Sequence, residues 1–147
     1  MASGSGEAFL WHPQRSMALP LACRQFHTAS LRAARFRPRH PQQLATASRD
    51  GSVALWDLRS SRQPSQQPPF SLRGIHKGGR GAEASRVTWL TWLPQQDYCF
   101  ATCGQPDYAI RVWDVRYTWG RHATPLSTAH LPPPQQTAAA RPRAFSH

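Results

Sequence analysis

The sequence predicts an all-β chain built from two consecutive units, each forming a four-stranded antiparallel sheet. Three observations carry this expectation. Short apolar segments of strand length alternate with turn-forming residues. Those segments fall into two series that match one another at a near-constant offset. Each series ends on the same signature, Trp56-Asp57-Leu58-Arg59 and Trp113-Asp114-Val115-Arg116. Self-similarity at a fixed offset marks an architecture in which one supersecondary unit stacks on the next.

The first unit covers about residues 27–59. It opens at His27, then runs through Leu31 to Pro38, Leu44 to Ser48, the turn Arg49-Asp50-Gly51, and Val53 to Arg59. The second covers about residues 76–116, with His76, Val87 to Pro94, Phe100 to Gly104, Asp107, and Ile110 to Arg116. Phe36-x-Pro38 maps onto Trp92-x-Pro94 at 56 residues, and Leu44-Ala45-Thr46 onto Phe100-Ala101-Thr102 at the same 56. The two Trp-Asp-x-Arg signatures lie 57 apart, because the preceding turn is one residue longer in the second unit. Trp56 and Trp113 are expected to be well buried, with Phe36 and Trp92 packing on the same layers between the units. Helix at Leu31–Phe36 or Val87–Trp92 would defeat the repeat.

The remaining elements follow from turn chemistry. Asp50-Gly51 marks a tight turn, where glycine relieves the steric cost of a positive φ. Asp107-Tyr108 stands there in the second unit, so that turn is expected to differ. Residues 60–85, rich in Pro and Gln and then in Gly and Arg, read as a surface insertion around a short strand at Phe70–Arg73. Residues 18–26 fit one strand, and 123–128 fit the outer strand of the second unit. Residues 1–17 and the Pro/Ala/Arg-rich tail at 131–147 lack a core-forming pattern and read as disordered. The repeats thus lie within 18–130.

Composition narrows the function. Eighteen Lys+Arg stand against seven Asp+Glu, a formal charge of +11, and Lys77 is the lone lysine. Four of the seven acids (Asp50, Asp57, Asp107, Asp114) fall inside the repeat, so the remaining surface is strongly positive. That admits contact with nucleic-acid phosphates or an acidic protein face. It is equally what a GC-rich coding sequence yields, since the arginines are scattered and not gathered on one element. Both readings stay open. Cys23, Cys99 and Cys103 give an odd count without metal-ligand spacing, so neither disulfide nor zinc is expected. Cys99 and Cys103 share one strand face and read as small buried hydrophobes. No cofactor or metal is called for, and no apolar run reaches membrane-spanning length.

His27, Thr46, Asp50 and Trp56, and then His76, Thr102, Asp107 and Trp113, stand at the positions of the WD repeat, which the two units resemble. The fold this implies is a WD-repeat β-propeller fragment of about two four-stranded blades with disordered termini. At about 40–45 residues per repeat and typically 4–8 blades per ring, 147 residues cannot close a ring. The other blades are missing or supplied elsewhere. In WD propellers the four side chains form a buried hydrogen-bond network, a structural role that displaces any reading of His and Asp as hydrolytic machinery. His76 lies 11 residues ahead of its strand where His27 lies 4 ahead, so the second network is the less secure expectation.

Arg59 and Arg116 have no packing reason. Each follows Trp-Asp-x at a matched strand end, where an exposed guanidinium can offer its planar fork to a carboxylate or carbonyl. Leu44 to Arg59 resembles the 16-residue motif, ending Trp-Asp-x-Arg, of WD proteins that dock on the adaptor of cullin-4 ubiquitin ligases. More narrowly, residues 22–130 resemble the denticleless-type substrate receptors of that ligase. The features are His27-Thr-Ala-Ser-Leu-Arg32, Arg49-Asp50-Gly51, the lengthened turn Gln105-Pro106-Asp107 and the polar insertion. The chain departs from that pattern in its absent blades and at Tyr108, where the family has Gly. The resemblance implies a nuclear, non-catalytic receptor bringing replication-coupled degradation substrates to the ligase, with Arg59 and Arg116 as adaptor contacts. The alternatives are a generic WD scaffold or chromatin-associated module, nuclear or cytoplasmic, and a truncated product without activity of its own.

Overall fold

The computed structural model describes residues 26–59, 70–77, 85–117 and 124–130 in full, and 8–11 and 18–21 as backbone. Ten strands follow in chain order: β1 (Ala8–Trp11), β2 (Ala18–Leu21), β3 (Leu31–Arg37), β4 (His40–Ser48), β5 (Ser52–Asp57), β6 (Phe70–Arg73), β7 (Arg86–Leu93), β8 (Gln96–Gln105), β9 (Ala109–Asp114) and β10 (Ser127–His130). They make two four-stranded antiparallel sheets, β3-β4-β5-β6 and β7-β8-β9-β10, and a separate two-stranded β1-β2 ladder. Each large sheet is a meander: short turns join its first three strands, and a longer connection leads to the fourth.

The repeat is carried down to the register. Leu31, Ala33 and Phe36 pair with Ser48, Ala47 and Leu44. Val87, Trp89 and Trp92, each 56 residues on, pair with Gly104, Cys103 and Phe100. Both ladders shift register at the same two places, between Leu31 and Ala33 and between Phe36 and Arg37 in the first, Val87/Trp89 and Trp92/Leu93 in the second. Such irregularities bend and twist a strand pair, so the two sheets share one shape and can stack as successive blades.

The main core lies between the sheets. Ala33, Ala45, Ala47, Val53, Phe70 and Leu72 of the first blade pack on Val87, Leu90, Trp92, Phe100, Trp113 and Val115 of the second. Trp92 is the wedge. Its indole N–H donates across the junction to the Arg35 carbonyl at 3.2 Å, and its ring meets Phe100 edge-on at 5.6 Å. A smaller cluster of Leu31, Leu44, Ala54 and Trp56 occupies the opposite face of the first blade.

Four expectations are corrected. Phe36 does not pack between the blades as Trp92 does; it is 53% exposed. It holds the register position of Trp92, but that side of β3 faces away from the second blade. Phe70–Arg73 is no ornament on an insertion: it is the outer strand of the first blade, with Phe70 and Leu72 buried in the junction. The outer strand of the second blade begins at Ser127, past Pro125, and runs to His130. Residues 8–11 are not disordered but pair with 18–21, which is as far as the expected 18–26 strand extends among the described residues. The rest of 1–17, Cys23 and the 131–147 tail lie outside the described residues.

Candidate functional site

Two clusters of polar side chains distinguish opposite ends of the blades. At one end, around the β4–β5 and β8–β9 turns, lie the His-Thr-Asp-Trp sets. In the first blade the Trp56 indole N–H donates to Thr46 Oγ1 at 2.8 Å, and Thr46 Oγ1 lies 2.8 Å from His27 Nε2. His27 Nδ1 is 2.7 Å from Ser52 Oγ, and the Ser52 hydroxyl donates to Asp50. One proton arrangement satisfies the whole line: Trp56 N–H to Thr46, Thr46 O–H to Nε2, Nδ1–H to Ser52, Ser52 O–H to the carboxylate. In that arrangement His27 donates from Nδ1 and accepts at Nε2. Asp50 also takes the Thr28 and Ser52 backbone N–H groups at 2.7 and 2.9 Å. Burial alone would raise its pKa, but these bonds outweigh it and hold the carboxyl well below the usual range.

The second blade builds the same line with different parts. Trp113 Nε1 donates to Thr102 Oγ1 at 2.9 Å, and Thr102 Oγ1 lies 3.0 Å from His76 Nε2. Ala109 stands where Ser52 would, so His76 Nδ1 reaches Asp107 Oδ1 directly, at 3.0 Å. Arg111 donates to the other Asp107 oxygen, and its Nη1 lies 2.8 Å from His76 Nδ1. The more distant start of His76 in the sequence is absorbed before β7, where Ser85 Oγ accepts the His76 backbone N–H at 3.1 Å. No described buried side-chain N or O atom lacks a hydrogen-bond partner. Among the described residues each side chain of these sets is bonded to a neighbour, which suits a structural brace.

Tyr108 also answers a question the sequence raised. It takes φ 50°, the left-handed region that Gly51 occupies at φ 81°, so the second turn keeps the backbone conformation and differs by its extra residue.

The second set sets a pH dependence. Burial pushes the His76 imidazole below its ordinary 6.5, against the pull of Asp107 and with help from Arg111. The unfolded chain therefore binds a proton at His76 that the fold resists. Stability from this group is complete above about pH 6.5 and falls as the pH drops below it. Asp107 and Asp114 are held low like Asp50, Asp107 because bonds from Arg111, Ala109 and His76 overcome burial, Asp114 chiefly by Arg116. What the carboxylates contribute is present above their ordinary 3.8 and is lost as the pH falls through their lower folded values. The denaturation midpoint should thus decline in two stages on acidification. NMR titration of the His76 ring should give a midpoint below 6.5; a midpoint at or above that value would refute the assignment.

At the other end lie the two Trp-Asp-x-Arg turns. In each, the carboxylate accepts the arginine's own backbone N–H: Arg59 N to Asp57 Oδ1 at 3.0 Å, Arg116 N to Asp114 Oδ1 at 2.8 Å. In each, the intervening residue ties back to the neighbouring strand, Leu58 N to the Gln42 carbonyl at 2.7 Å and Val115 N to the Tyr98 carbonyl at 3.0 Å. The side chains then diverge. Arg59 is 67% exposed, with its Nε 3.8 Å from Asp57. Arg116 is 50% exposed and closes a fork on Asp114, Nε to Oδ1 at 3.0 Å and Nη2 to Oδ2 at 2.7 Å. Its guanidinium carbon sits 3.5 Å from the Tyr98 ring centre and 5.2 Å from that of Tyr117. A shallow cleft of about 250 Å³ separates the turns, with Asp57, Arg37 and Gln43 on one side, Val115 on the other, and Trp56 and Phe70 in its floor. Arg37 spans the junction, donating to the Asp97 carbonyl at 2.6 Å and to Gln43 Oε1 at 2.7 Å.

Sequence reasoning missed Ser52, Arg111, Arg37 and Tyr98. Ser52 and Arg111 were within reach, since each follows its motif Asp by two or four residues. Arg37 and Tyr98 act through packing that spacing does not reveal.

Residues 20–57 match the family model "WD domain, G-beta repeat". The chain carries a WD repeat. Its all-β architecture is that of two WD-repeat blades, and the register equivalence extends the repeat to the second sheet. The chain is similar to the Drosophila melanogaster protein lethal(2)denticleless, 28% identical over 89% of this chain and 20% of that protein. It is 33% identical to a histone acetyltransferase type B subunit 2 of Aspergillus oryzae over 66% of this chain and 21% of that one. It is 29% identical to a DDB1- and CUL4-associated factor 13 of Danio rerio over 73% of this chain and 20% of that one. The chain thus spans about a fifth of the length of each. Among solved structures, a chain in the crystal structure of a mitotic checkpoint complex aligns with TM-score 0.64 and 23% identity, over 88% of this chain and 35% of that chain. That likeness speaks to the fold.

Proposed function

We propose that this WD-repeat module is part of a non-catalytic substrate receptor of a cullin-4 ubiquitin ligase, nuclear, serving replication-coupled protein degradation. The observation that carries the reading is the pair of Trp-Asp-x-Arg turns, side by side at one end of adjacent blades with both guanidinium groups at the surface. Similarity to denticleless and to a DDB1- and CUL4-associated factor supports it. A receptor needs no nucleophile: it raises the effective concentration of a substrate near the ligase. Arg59 and Arg116 are the adaptor contacts in this reading, and degradation substrates bind elsewhere on the completed ring.

The test is co-precipitation of the cullin-4 adaptor with the wild type, Arg59→Ala, Arg116→Ala and the double variant. Each single change should cost about 2 kcal/mol of binding, as at an interface hot spot, or about 30-fold in affinity. Arg59→Ala should leave folding, followed by circular dichroism, within about 0.5 kcal/mol. Arg116→Ala also strips the nearly buried Asp114 carboxylate of its fork and should lower stability more, so binding is compared under conditions where each variant is folded. Lysine should not restore Arg116, whose paired geometry needs the planar group. Full adaptor binding by a folded double variant would sink the receptor reading.

The second reading is a chromatin-associated WD scaffold. The similarity to a histone acetyltransferase subunit and the charge of +11 favour it. It predicts salt-sensitive retention on nucleic acid that ignores Arg59 and Arg116.

A further inference from the structure

The two arginines hold matched positions in sequence and in register, yet the structure holds them unequally. The difference traces to a third residue. The backbone carbonyls that receive Leu58 N and Val115 N belong to Gln42 and Tyr98, which are 56 residues apart and so occupy the same site in their blades. Gln42 is exposed and makes no ring beneath Arg59. Tyr98 packs its ring against the inter-blade core and turns one face to Arg116. Tyr117, 74% exposed, approaches the same guanidinium from 5.2 Å.

The donor count gives the consequence. A guanidinium has five N–H groups. Arg116 spends Nε–H and one Nη2–H on Asp114. Among the described residues both Nη1–H groups and the second Nη2–H have no acceptor, and they point away from the Nε side that faces the carboxylate. Asp114 fixes the rotation of the plane, and Tyr98 fixes its height above the sheet. The free edge is therefore aimed before any partner arrives, whereas Arg59 must be immobilised on binding. Ordering a long side chain costs about 0.5–1.5 kcal/mol.

We infer that Tyr98 is the positioning residue that makes Arg116 the preset anchor of this face, its free edge taking one carboxylate or a pair of backbone carbonyls on a protein partner. Asp114 shares the task, but it is nearly buried and serves its turn as well, so the ring is the cleaner handle. The inference rests on the adaptor reading for the identity of the partner, not for the state of Arg116.

Two measurements separate the two ideas. The first is titration of the full chain with the cullin-4 adaptor. Tyr98→Ala should weaken binding about three- to tenfold, the entropy of one freed side chain. Tyr98→Phe, which keeps the ring, should bind as wild type. Tyr98→Ala should cost nothing further in an Arg116→Ala background. Gln42→Tyr, which gives Arg59 the ring it lacks, should tighten binding by a similar factor. The second is NMR of the arginine Nε–Hε groups in the free protein. The Arg116 signal should be ordered in the wild type and in Tyr98→Phe and mobile in Tyr98→Ala, while Gln42→Tyr should order Arg59. An Arg116 side chain equally rigid in Tyr98→Ala, or a Tyr98→Ala loss that persists in full without Arg116, overturns the inference. Wild-type adaptor binding by Arg116→Ala overturns the adaptor reading, and the NMR arm still decides what holds the arginine.

Discussion

Trp113→Ala should abolish cooperative folding of this chain. Trp113 is 2% exposed and sits in the core shared by both blades, so truncation removes one of the two buried tryptophans of the second blade and leaves a cavity the sheets cannot close. Losses for buried Trp→Ala run to about 3–5 kcal/mol. A whole domain commonly has about 5–15 kcal/mol to spare, and two blades bury proportionately less surface than a larger domain. The indole also donates to Thr102, so its removal strips one bond from the line ending at Asp107. Trp113→Phe separates the two contributions: it keeps most of the packing and loses the N–H, which should cost on the order of 1 kcal/mol. Urea denaturation followed by far-ultraviolet circular dichroism reads both. A sigmoidal transition in Trp113→Ala within 1 kcal/mol of wild type would show that the blades do not depend on their shared core.

The same comparison shows what the sequence could reveal and what it could not. Strand positions, the two-unit repeat and the line from Trp through Thr to His were legible because each depends on local spacing within one unit. The 56-residue offset holds for every β3–β4 residue pair against β7–β8. Phe36 shows the limit. Sequence aligns it with Trp92, and the register agrees, but among the described residues only Trp92 has a four-stranded sheet packed on its side. Burial there depends on a neighbouring sheet, which spacing within one unit does not encode. Ser52 and Ala109 show a second limit. One hydroxyl decides whether His and Asp touch directly or through a relay, and Arg111 joins where the hydroxyl is absent. The Trp-Asp-x-Arg signatures were visible, but the ring under Arg116 comes from Tyr98, eighteen residues upstream on another strand. Only the ladder between β8 and β9 brings them together.

Gly104→Ala should be nearly as damaging as the tryptophan truncation, although it adds one carbon. Gly104 pairs with Val87, one step inside the end of the β7–β8 ladder, and the His76 imidazole occupies the space a side chain would need. A Cβ there would stand 2.3 Å from His76 Cγ, 2.5 Å from His76 Cδ2 and 2.5 Å from the Arg86 carbonyl oxygen. Neither neighbour is a flexible chain end. The imidazole is fully buried and bonded at both nitrogens, and the carbonyl belongs to β7. Moving His76 would break its contacts with Thr102 and Asp107 and leave buried polar groups unpaired. Overpacking costs about 1–3 kcal/mol, and an unpaired buried group about 1–3 more. The expected loss is about 3 kcal/mol. The equivalent residue of the first blade is Ser48, which carries a Cβ and whose hydroxyl bonds the Ala29 and Ser30 carbonyls. The mechanism makes a sharper claim than the magnitude. A His76→Ala background removes two of the three tightest contacts and leaves the Arg86 carbonyl, so Gly104→Ala should cost distinctly less there than in the wild type. Equal costs in the two backgrounds, measured by urea denaturation, would mean that His76 is not what reserves this position for glycine.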